Sequence, residues 1–318
     1  MASISSQMEL PFINNLKPTA KPFLKWAGGK GQLIDQIERT LPMELYNGHI
    51  TKYAEPFIGS GALFFFMANK FQLTDYFIAD INKDLILTYQ VIQQRVEELI
   101  QQLKEIQSDY LLLPPAQREA YFYQVRTDFN DMQTATRYKA TTSASIQRVA
   151  QLIFLNRTCF NGLYRVNSRG AFNVPFGRYK KPKICAAKNL RRVSHLLQLC
   201  QIHHGDFTTC RHFVDAQTFV YFDPPYRPLN QTASFNAYAA KRFDDDEQIR
   251  LAHFYQELDQ QGAKLMLSNS DPHNEDPTDN FFHEIYKDFT IQKLYAKRSI
   301  NSNGAKRGAI TEILVTNY

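Results

Sequence analysis

The sequence predicts an α/β protein in which a mainly parallel sheet is covered by helices on both faces. Short apolar runs, typical of buried strands, alternate with longer stretches whose apolar residues recur at helical spacing. This alternation favours parallel strand pairing, because each connecting helix crosses back over one face of the sheet. Two segments of the chain follow the pattern, and the part between them predicts helices and one hairpin.

The first α/β segment covers residues 21–84 and follows a loosely ordered lead-in at residues 1–20. Its predicted elements are, in order, a helix at residues 31–41, a strand near Tyr53, a helix at residues 61–70 and a strand at residues 76–79. These elements form one part of the predicted sheet.

The second α/β segment covers residues 186–318. Its strands are predicted near residues 201–203, 219–222, 264–267, 291–294 and 312–316. A helix at residues 244–261 begins with an acidic turn, which suits the positive end of the helix dipole. The loop at residues 268–280 is rich in Asp, Asn and Pro, so we expect it at the surface. Both segments together predict one α/β domain.

An inserted helical domain is predicted at residues 85–185. A helix at residues 85–107 follows a cap at Asn82, and two further helices are expected at residues 115–131 and 145–156. Residues 166–172 predict a hairpin with glycine at its turn.

Composition limits the kinds of protein that this chain can be. Its 318 residues carry a formal net charge of +6, a mild basic excess that is compatible with a polyanionic partner. The four cysteines form no C-x-x-C pair, which predicts no zinc site and fits a reducing cytosol. We find no apolar stretch long enough to span a membrane and no signal peptide, so we expect a cytoplasmic protein without a membrane partner.

The tetrapeptide Asp223-Pro224-Pro225-Tyr226 follows the predicted strand at residues 219–222 and is the most informative motif. Prolines fix the backbone φ and carry no N–H, so the motif predicts a stiff ledge whose carbonyls point in set directions. The Asp223 carboxylate and a proline carbonyl can accept both hydrogens of an exocyclic amine, while Tyr226 can stack on a planar ring. The alternative is an ordinary turn, since Asp-Pro and Pro-Pro are common turn signals.

A glycine turn at Gly59 and Gly61, between a predicted strand and helix, would let a ligand approach the backbone closely. The dinucleotide fingerprint is incomplete because Phe64 stands where its third glycine would be, which disfavours a pyrophosphate ligand. Asp80 ends the next predicted strand, where a carboxylate often binds ribose hydroxyls. A helix cap is the equally weighted alternative for Asp80.

Three further segments have a functional reading beside a simpler one. Residues 157–183 mix arginines and lysines with aromatic residues, which suits groove and phosphate contacts better than a merely solvated face. Residues 23–30 hold the single tryptophan, two glycines and two lysines and loosely resemble a phosphate loop, but its G-K-[ST] signature is absent because Gly31 follows Lys30. The simpler reading is a Gly-Gly turn that starts a helix. Residues 298–307 form a basic polar loop that either contacts a nucleic-acid backbone or is only exposed.

In combination, the motifs are specific. Six motifs occur in a fixed order between Phe23 and Gly304. They are FLKWAGGK, EPFIGSGALF, ADIN, NGLYRVNSRGAFNVPFGRYKKP, DPPY and RSINSNG. This set resembles the Dam family of DNA adenine-N6 methyltransferases with the alpha motif order. The resemblance implies a Rossmann-like methyltransferase sheet with residues 21–84 and 186–318 as the catalytic domain. It also implies residues 85–185 as the target-recognition domain.

The resemblance further implies S-adenosylmethionine as methyl donor, with no metal, and an adenine flipped out of double-stranded DNA, within GATC, as acceptor. The target adenine is expected on Asp223, Pro224, Pro225 and Tyr226. The cofactor is expected on Trp26, Gly28, Lys30, Glu55, Phe57, Gly59, Asp80, Asp206, Phe207 and Asp223. DNA is expected on Lys25, Phe160, Asn161, Leu163, Arg165, Asn167, Asn173 and Arg178.

Two other readings stay open from the residues. One is an amine methyltransferase that acts on cytosine N4, RNA or a protein glutamine, and the other is a catalytically silent DNA-binding protein. A regulatory role without a partner enzyme and a role as companion of a restriction endonuclease are also both open.

Overall fold

The computed structural model describes residues 19–26, 28–132, 142–227, 243–297 and 309–318. Within them, a seven-stranded sheet has the order β3-β2-β1-β4-β5-β7-β6. The strands are β1 (Lys52–Glu55), β2 (Asp75–Asp80), β3 (Cys200–His204), β4 (Thr218–Phe222), β5 (Lys264–Ser270), β6 (Thr290–Lys297) and β7 (Ala309–Thr316). Strands β1 to β5 pair in parallel, and β7 lies antiparallel between β5 and β6. The predicted mainly parallel sheet is thus confirmed.

The described residues form nine α-helices. They are α1 (Ile34–Glu38), α2 (Met43–Tyr46), α3 (Ala62–Lys70), α4 (Lys83–Leu112), α5 (Pro115–Asp131), α6 (Ser143–Thr158), α7 (Ala187–Leu197), α8 (Asp245–Gln260) and α9 (Phe281–Ile285). The cap predicted at Asn82 is present, since its side chain accepts a hydrogen bond from the Leu85 amide. The helix predicted at residues 31–41 is shorter than expected, because a 3-10 turn at Lys30–Gln32 precedes α1.

The core consists of two apolar layers, one on each face of the sheet. Central strand β4 is buried along its whole length, with Val220 opposite Ala54 of β1 and Leu265 of β5. Because side chains alternate across a strand, Phe219 and Tyr221 point into the layer that continues into α4 and α6, whereas Val220 and Phe222 face α8. Each face of the sheet is therefore covered, as a parallel sheet requires.

Helices α4, α5 and α6 lie between β2 and β3 in sequence, where the insertion is predicted. A buried ion pair joins the start of α4 to α6. The Arg148 Nε and Nη2 atoms lie 2.6 and 2.8 Å from the two carboxylate oxygens of Asp84. The Tyr164 hydroxyl, from the loop after α6, lies 3.5 Å from the same carboxylate. The division into a catalytic and a recognition domain stays a prediction.

Residues 166–172 form a very short hairpin, in which Val166 pairs with Phe172 and the Asn167 amide donates to the Ala171 carbonyl at 2.9 Å. Gly170 at the turn has a φ of +78°, a value that L side chains rarely adopt.

The expectation that residues 268–280 lie at the surface is wrong for the first part of this segment. Ser268, Asn269 and Ser270 continue β5 and are buried, as is Asp271. Their polar groups are hydrogen-bonded: Asp271 accepts from the Thr311 hydroxyl at 2.6 Å and pairs with Lys293 at 3.0 Å. Polar composition therefore does not predict exposure where neighbouring elements supply partners.

The lead-in at residues 1–18 and the basic loop at residues 298–308 lie outside the described residues. In the part of the chain that the structure describes, no helix is long and apolar enough to cross a membrane. The same residues contain no group of three or more His, Cys, Asp or Glu side chains that could hold a metal ion.

Candidate active site

The polar motifs predicted from the sequence converge at the carboxyl ends of the central parallel strands. Glu55 ends β1, Asp80 ends β2, and Asp223 directly follows β4. Because β1 lies between β2 and β4, these three carboxylates share one edge of the sheet. Ligands of open α/β sheets bind at this edge.

The Asp223 carboxylate is held from two sides through one of its oxygens. Its Oδ1 atom lies 3.0 Å from the Lys30 ammonium and 3.3 Å from the Ser268 hydroxyl, which also bonds the Tyr221 hydroxyl at 2.8 Å. Burial raises the pKa of Asp223 above its ordinary value, while the Lys30 charge opposes that rise. Among the described residues, both contacts use Oδ1, which leaves Oδ2 as the oxygen for a ligand.

Tyr226 is oriented by charged neighbours. Its hydroxyl donates to the Glu312 carboxylate of β7 and also contacts the Lys30 ammonium, which lies 4.3 Å from the centre of its ring. Lys30, which the resemblance implies for the cofactor, thus contacts the Asp223–Tyr226 ledge in this structure. The Lys30 ammonium also lies 3.5 Å from Glu312.

Glu55 is buried and its hydrogen-bond partners are neutral. The Tyr53 hydroxyl donates to its Oε2 at 2.6 Å. Burial raises the pKa of Glu55 well above its usual range, and the nearby charges of Asp223 and Asp80 add to the rise. A cation placed beside Glu55 would lower its pKa again, because an opposite charge stabilises the ionised carboxylate.

Asp80 ties the glycine turn to β2. It accepts hydrogen bonds from the Gly59 amide at 3.2 Å and from the Asn82 amide at 2.9 Å. Burial raises the pKa of Asp80 to about 6, although these bonds oppose the rise. Asn82, and not Asp80, caps α4.

The glycine turn leaves no room for larger residues. Gly59 has a φ of +47°, and a Cβ there would lie 3.2 Å from the Trp26 ring. Gly61 has a φ of +69°, and its Cβ would lie 2.8 Å from the Tyr89 hydroxyl, which donates to the Gly59 carbonyl at 3.1 Å. Gly28 also has a positive φ, of +77°. The backbone at Gly59 and Gly61 therefore takes a shape that requires glycine.

Phe57 and Phe207 lie together, with ring centres 5.5 Å apart. Asp206 beside them forms a bidentate pair with Arg250, at 2.9 and 2.6 Å. Although burial alone would raise it, the pKa of Asp206 is lowered to about 2 by Arg250 and Thr208. The Arg250 guanidinium also lies 4.1 Å from the centre of the Phe207 ring.

The loop after α6 packs on the segment that holds Lys25. Asn161 has a φ of +55°, and a Cβ at Gly162 would lie 2.2 Å from the Lys25 side chain. Phe160 is 53% exposed, which is unusual for a phenylalanine, whereas Leu163 is half-buried against the core. The loop therefore presents Phe160 outward while Gly162 and Leu163 pack inward.

In the hairpin, the predicted DNA-binding residues also contact one another. The Arg165 Nε atom donates to the Asn173 Oδ1 atom at 2.7 Å. The Asn167 Oδ1 atom accepts from the Arg169 and Ala171 amides, both at 3.0 Å, and so shapes the turn. Arg178 is 79% exposed and lies 3.7 Å from Glu119. Arg165 is thus held in place, while Arg178 extends into solvent.

Sequence reasoning missed three polar residues that connect the segments of the site. The side chain of Asn156, in α6, accepts from the Lys25 amide at 2.9 Å. It also donates to the Lys25 carbonyl at 2.8 Å and to the Gly162 carbonyl at 2.9 Å. Ser268 and Glu312 contact the ledge from β5 and β7. Ser268 directly follows the predicted strand at residues 264–267, which is the position where polar residues of parallel strands reach a site. No local pattern marks Asn156 or Glu312.

This strand order, the glycine turn after β1 and the polar ledge after β4 define an S-adenosylmethionine-dependent methyltransferase fold. A family model described as D12 class N6 adenine-specific DNA methyltransferase matches residues 26–300. The chain belongs to this family. It is therefore an adenine-specific DNA methyltransferase, and the other acceptors left open by the residues are not those of its family.

Similar proteins cover nearly the whole chain. The type II methyltransferase M.MjaIII of Methanocaldococcus jannaschii is 50% identical over 94% of this chain and 99% of its own length. The type II methyltransferase M1.LlaDCHI of Lactococcus lactis subsp. cremoris is 37% identical, over 95% and 97% respectively. The DNA adenine methylase of Escherichia coli strain K12 is 34% identical, over 92% and 94%. The resemblance to the Dam family is confirmed.

Proposed function

We propose that this chain transfers a methyl group from S-adenosylmethionine to N6 of an adenine that is flipped out of duplex DNA, within GATC. The observation that carries the proposal is that the Asp223–Tyr226 ledge, Glu55 and Asp80 meet at the carboxyl ends of adjacent parallel strands. Glu55 and Asp80 each accept hydrogen bonds from neutral groups, and their pKa values are raised above the ordinary range by burial. Such a group of carboxylates favours a cationic ligand.

S-adenosylmethionine has chemical groups that suit these carboxylates, namely an ammonium group, a sulfonium group and ribose hydroxyls. Glu55 suits the ammonium, and Asp80 suits the ribose. The residues proposed to hold it are Trp26, Gly28, Lys30, Glu55, Phe57, Gly59, Asp80, Asp206, Phe207 and Asp223. When bound, the cofactor supplies an activated methyl group.

The ledge prepares the adenine amine. N6 is a weak nucleophile because its lone pair is delocalised into the ring. Hydrogen bonds from N6 to Asp223 Oδ2 and to the Pro224 carbonyl would favour a pyramidal nitrogen with an available lone pair. Holding the reacting groups in near-attack geometry accounts for much of the rate in such reactions. N6 loses its extra proton after the transfer, so the ledge needs no strong base.

The target adenine is out of reach inside a duplex, so it must be flipped at a cost of a few kcal/mol. We assign Tyr226 to stacking on the flipped base and Phe160 to the opened step, because Phe160 is exposed on the loop after α6. Lys25 and Arg165 are assigned to bases, and Asn167, Asn173 and Arg178 to phosphates. Residues 85–185 form the recognition domain in this proposal.

In this proposal, the target site is GATC, and the partner is a restriction endonuclease that cuts the same site. Two relatives, at 50% and 37% identity, are named type II methyltransferases, which favours such a partner for this chain. Both proteins would act in the cytoplasm. Modified-base sequencing of DNA from a host without adenine methylation, after expression of the chain, tests the target. Methylation confined to GATC supports the proposal, and methylation of another site overturns the GATC assignment.

The methyl-transfer rate is expected to fall as the pH decreases, with a midpoint above the ordinary aspartate pKa of about 3.9. Burial raises the pKa values of Asp223, Asp80 and Glu55, so these carboxyls take up protons, and lose their charge toward the amine and the cofactor, at a higher pH than exposed ones. Single-turnover rates between about pH 4.5 and 8, with circular dichroism to confirm folding at each pH, measure this. A rate that stays constant to pH 4.5 would contradict it.

Substitution of two arginines that follow α6, Arg165 and Arg178, is expected to change DNA binding in different ways. Arg165→Ala should relax sequence discrimination by about 1–3 kcal/mol, the value of a bidentate base contact. Arg178→Ala should weaken binding to every sequence and flatten the salt dependence, since a phosphate contact carries no sequence information. Competition between GATC and single-base variants at several salt concentrations decides this. Equal loss for cognate and variant DNA in Arg165→Ala would refute its base-reading role.

A further inference from the structure

The ledge cannot be held by the sheet in the ordinary way, because Pro224 and Pro225 have no backbone N–H. At its far end, three backbone groups are instead bonded to side chains: the Pro225 carbonyl, the Arg227 amide and the Arg227 carbonyl. Gln248 donates to the Pro225 carbonyl at 3.1 Å, Asn269 accepts from the Arg227 amide at 3.3 Å, and Ser270 donates to the Arg227 carbonyl at 3.1 Å.

Gln248 of α8 and Asn269 of β5 form a buried amide pair, and both are 0% exposed. The Asn269 Nδ2 atom donates to the Gln248 Oε1 atom at 3.1 Å, and its Oδ1 atom also accepts from the Ser270 amide at 2.8 Å. Each amide thus uses one end for its partner and the other for the ledge. Buried amides that lose such partners are costly, so the pair holds one arrangement.

The Arg227 side chain adds a second brace at the surface side of the ledge. Its guanidinium binds the Asp245 carboxylate of α8 at 2.7 and 3.0 Å and the Asp279 carboxylate at 2.5 Å. The ledge is therefore tied to α8 twice, once through Gln248 and once through Arg227.

We propose that Gln248 and Asn269 are positioning residues for methyl transfer, because they set the place of the Asp223–Tyr226 ledge without touching the substrate. The inference rests on the proposed role of Asp223–Tyr226. Asp223 and the Pro224 carbonyl must converge on one nitrogen, and a shift of the Pro225 anchor moves both relative to the glycine turn. Small displacements of reacting groups lower rates strongly while leaving binding nearly intact.

The test compares Gln248→Met with Tyr255→Phe in the full chain. Methionine keeps the length of glutamine but cannot donate to Pro225. Tyr255 lies on the same helix and donates from a buried hydroxyl to the Leu265 carbonyl at 3.0 Å, away from the ledge. Gln248→Met should lower the single-turnover rate about 10- to 100-fold, with the affinities for S-adenosylmethionine and DNA within about 2-fold of wild type. Tyr255→Phe should lower only the melting temperature.

A wild-type rate in folded Gln248→Met overturns the proposal, as does an equal loss of rate in Tyr255→Phe. If Gln248→Met does not fold, Gln248→Glu supplies the same test. Its buried carboxyl donates to Pro225 only when protonated, so its rate relative to wild type should rise as the pH falls; a pH-independent ratio overturns the proposal. Asp223→Ala distinguishes failure of the proposed active site from failure of the positioning role. If Asp223→Ala retains activity, the proposed site is wrong. If it is inactive while Gln248→Met has a normal rate, only the positioning role is wrong.

Discussion

Asp223→Ala is expected to lower the single-turnover rate of methyl transfer by at least about 100-fold, while the protein stays folded. Removing one oriented polar contact to a reacting group typically costs this much. Asp223→Asn should lose nearly as much, because the amide replaces a charged acceptor with a group that is partly a donor. Methylation of a GATC duplex under single-turnover conditions measures the rate, and calorimetry measures S-adenosylmethionine affinity.

The matched control is Asp215→Asn, which changes an aspartate near the opposite end of the same strand. Asp215 pairs with Lys52 at 2.9 Å, is half-exposed and precedes β4, at the end of the strand opposite the ledge. The methyl-transfer rate of Asp215→Asn should equal that of wild type. Wild-type turnover by purified Asp223→Ala would refute the assignment of the ledge to the target amine.

Asp84→Ala is expected to lower the free energy of unfolding by about 3–5 kcal/mol, the usual cost of leaving a buried charge without its partner. Arg148 is 2% exposed, and both of its bonds to Asp84 would be lost. The loss should fall on the contact between α4, α6 and the loop after α6, because Tyr164 shares the same carboxylate. Urea unfolding followed by circular dichroism measures the change.

Glu97→Ala is the control in the same helix. Glu97 also forms a bidentate pair with an arginine, Arg191, at 2.7 Å for both bonds, but that pair is exposed to solvent. Water screens such a pair, so its removal should leave stability nearly unchanged. Equal destabilisation by both variants would show that burial of the Asp84–Arg148 pair is not the cause.

Short sequence patterns were sufficient to predict those elements that depend on neighbouring residues or on a regular spacing of apolar residues. The strand at residues 219–222 was predicted because a short apolar run suits burial on both faces of a sheet. The cap at Asn82 was predicted because an Asn side chain bonds the first free amides of a helix. The order of the motifs was sufficient for the family, whose model matches residues 26–300.

Polar residues that act through distant partners were not predictable in this way. Ser268 and Asn269 were expected in an exposed loop, although both are buried and hydrogen-bonded to residues more than 20 positions away. Glu312 meets Tyr226 across 86 positions, because β7 runs back beside β5. Sequence composition measures the cost of burying a polar group but carries no information on whether a partner compensates it.

The sequence by itself therefore determined the α/β class, the helical segment after β2, the family and the motifs that meet at one edge of the sheet. Only the tertiary structure decided that Lys30 contacts Asp223 and Tyr226, that Asp206 pairs with Arg250, and that buried amides anchor the ledge. The physical reason is range. Backbone periodicity and capping act over a few residues, whereas hydrogen bonds between side chains depend on which strands and helices the whole fold places side by side.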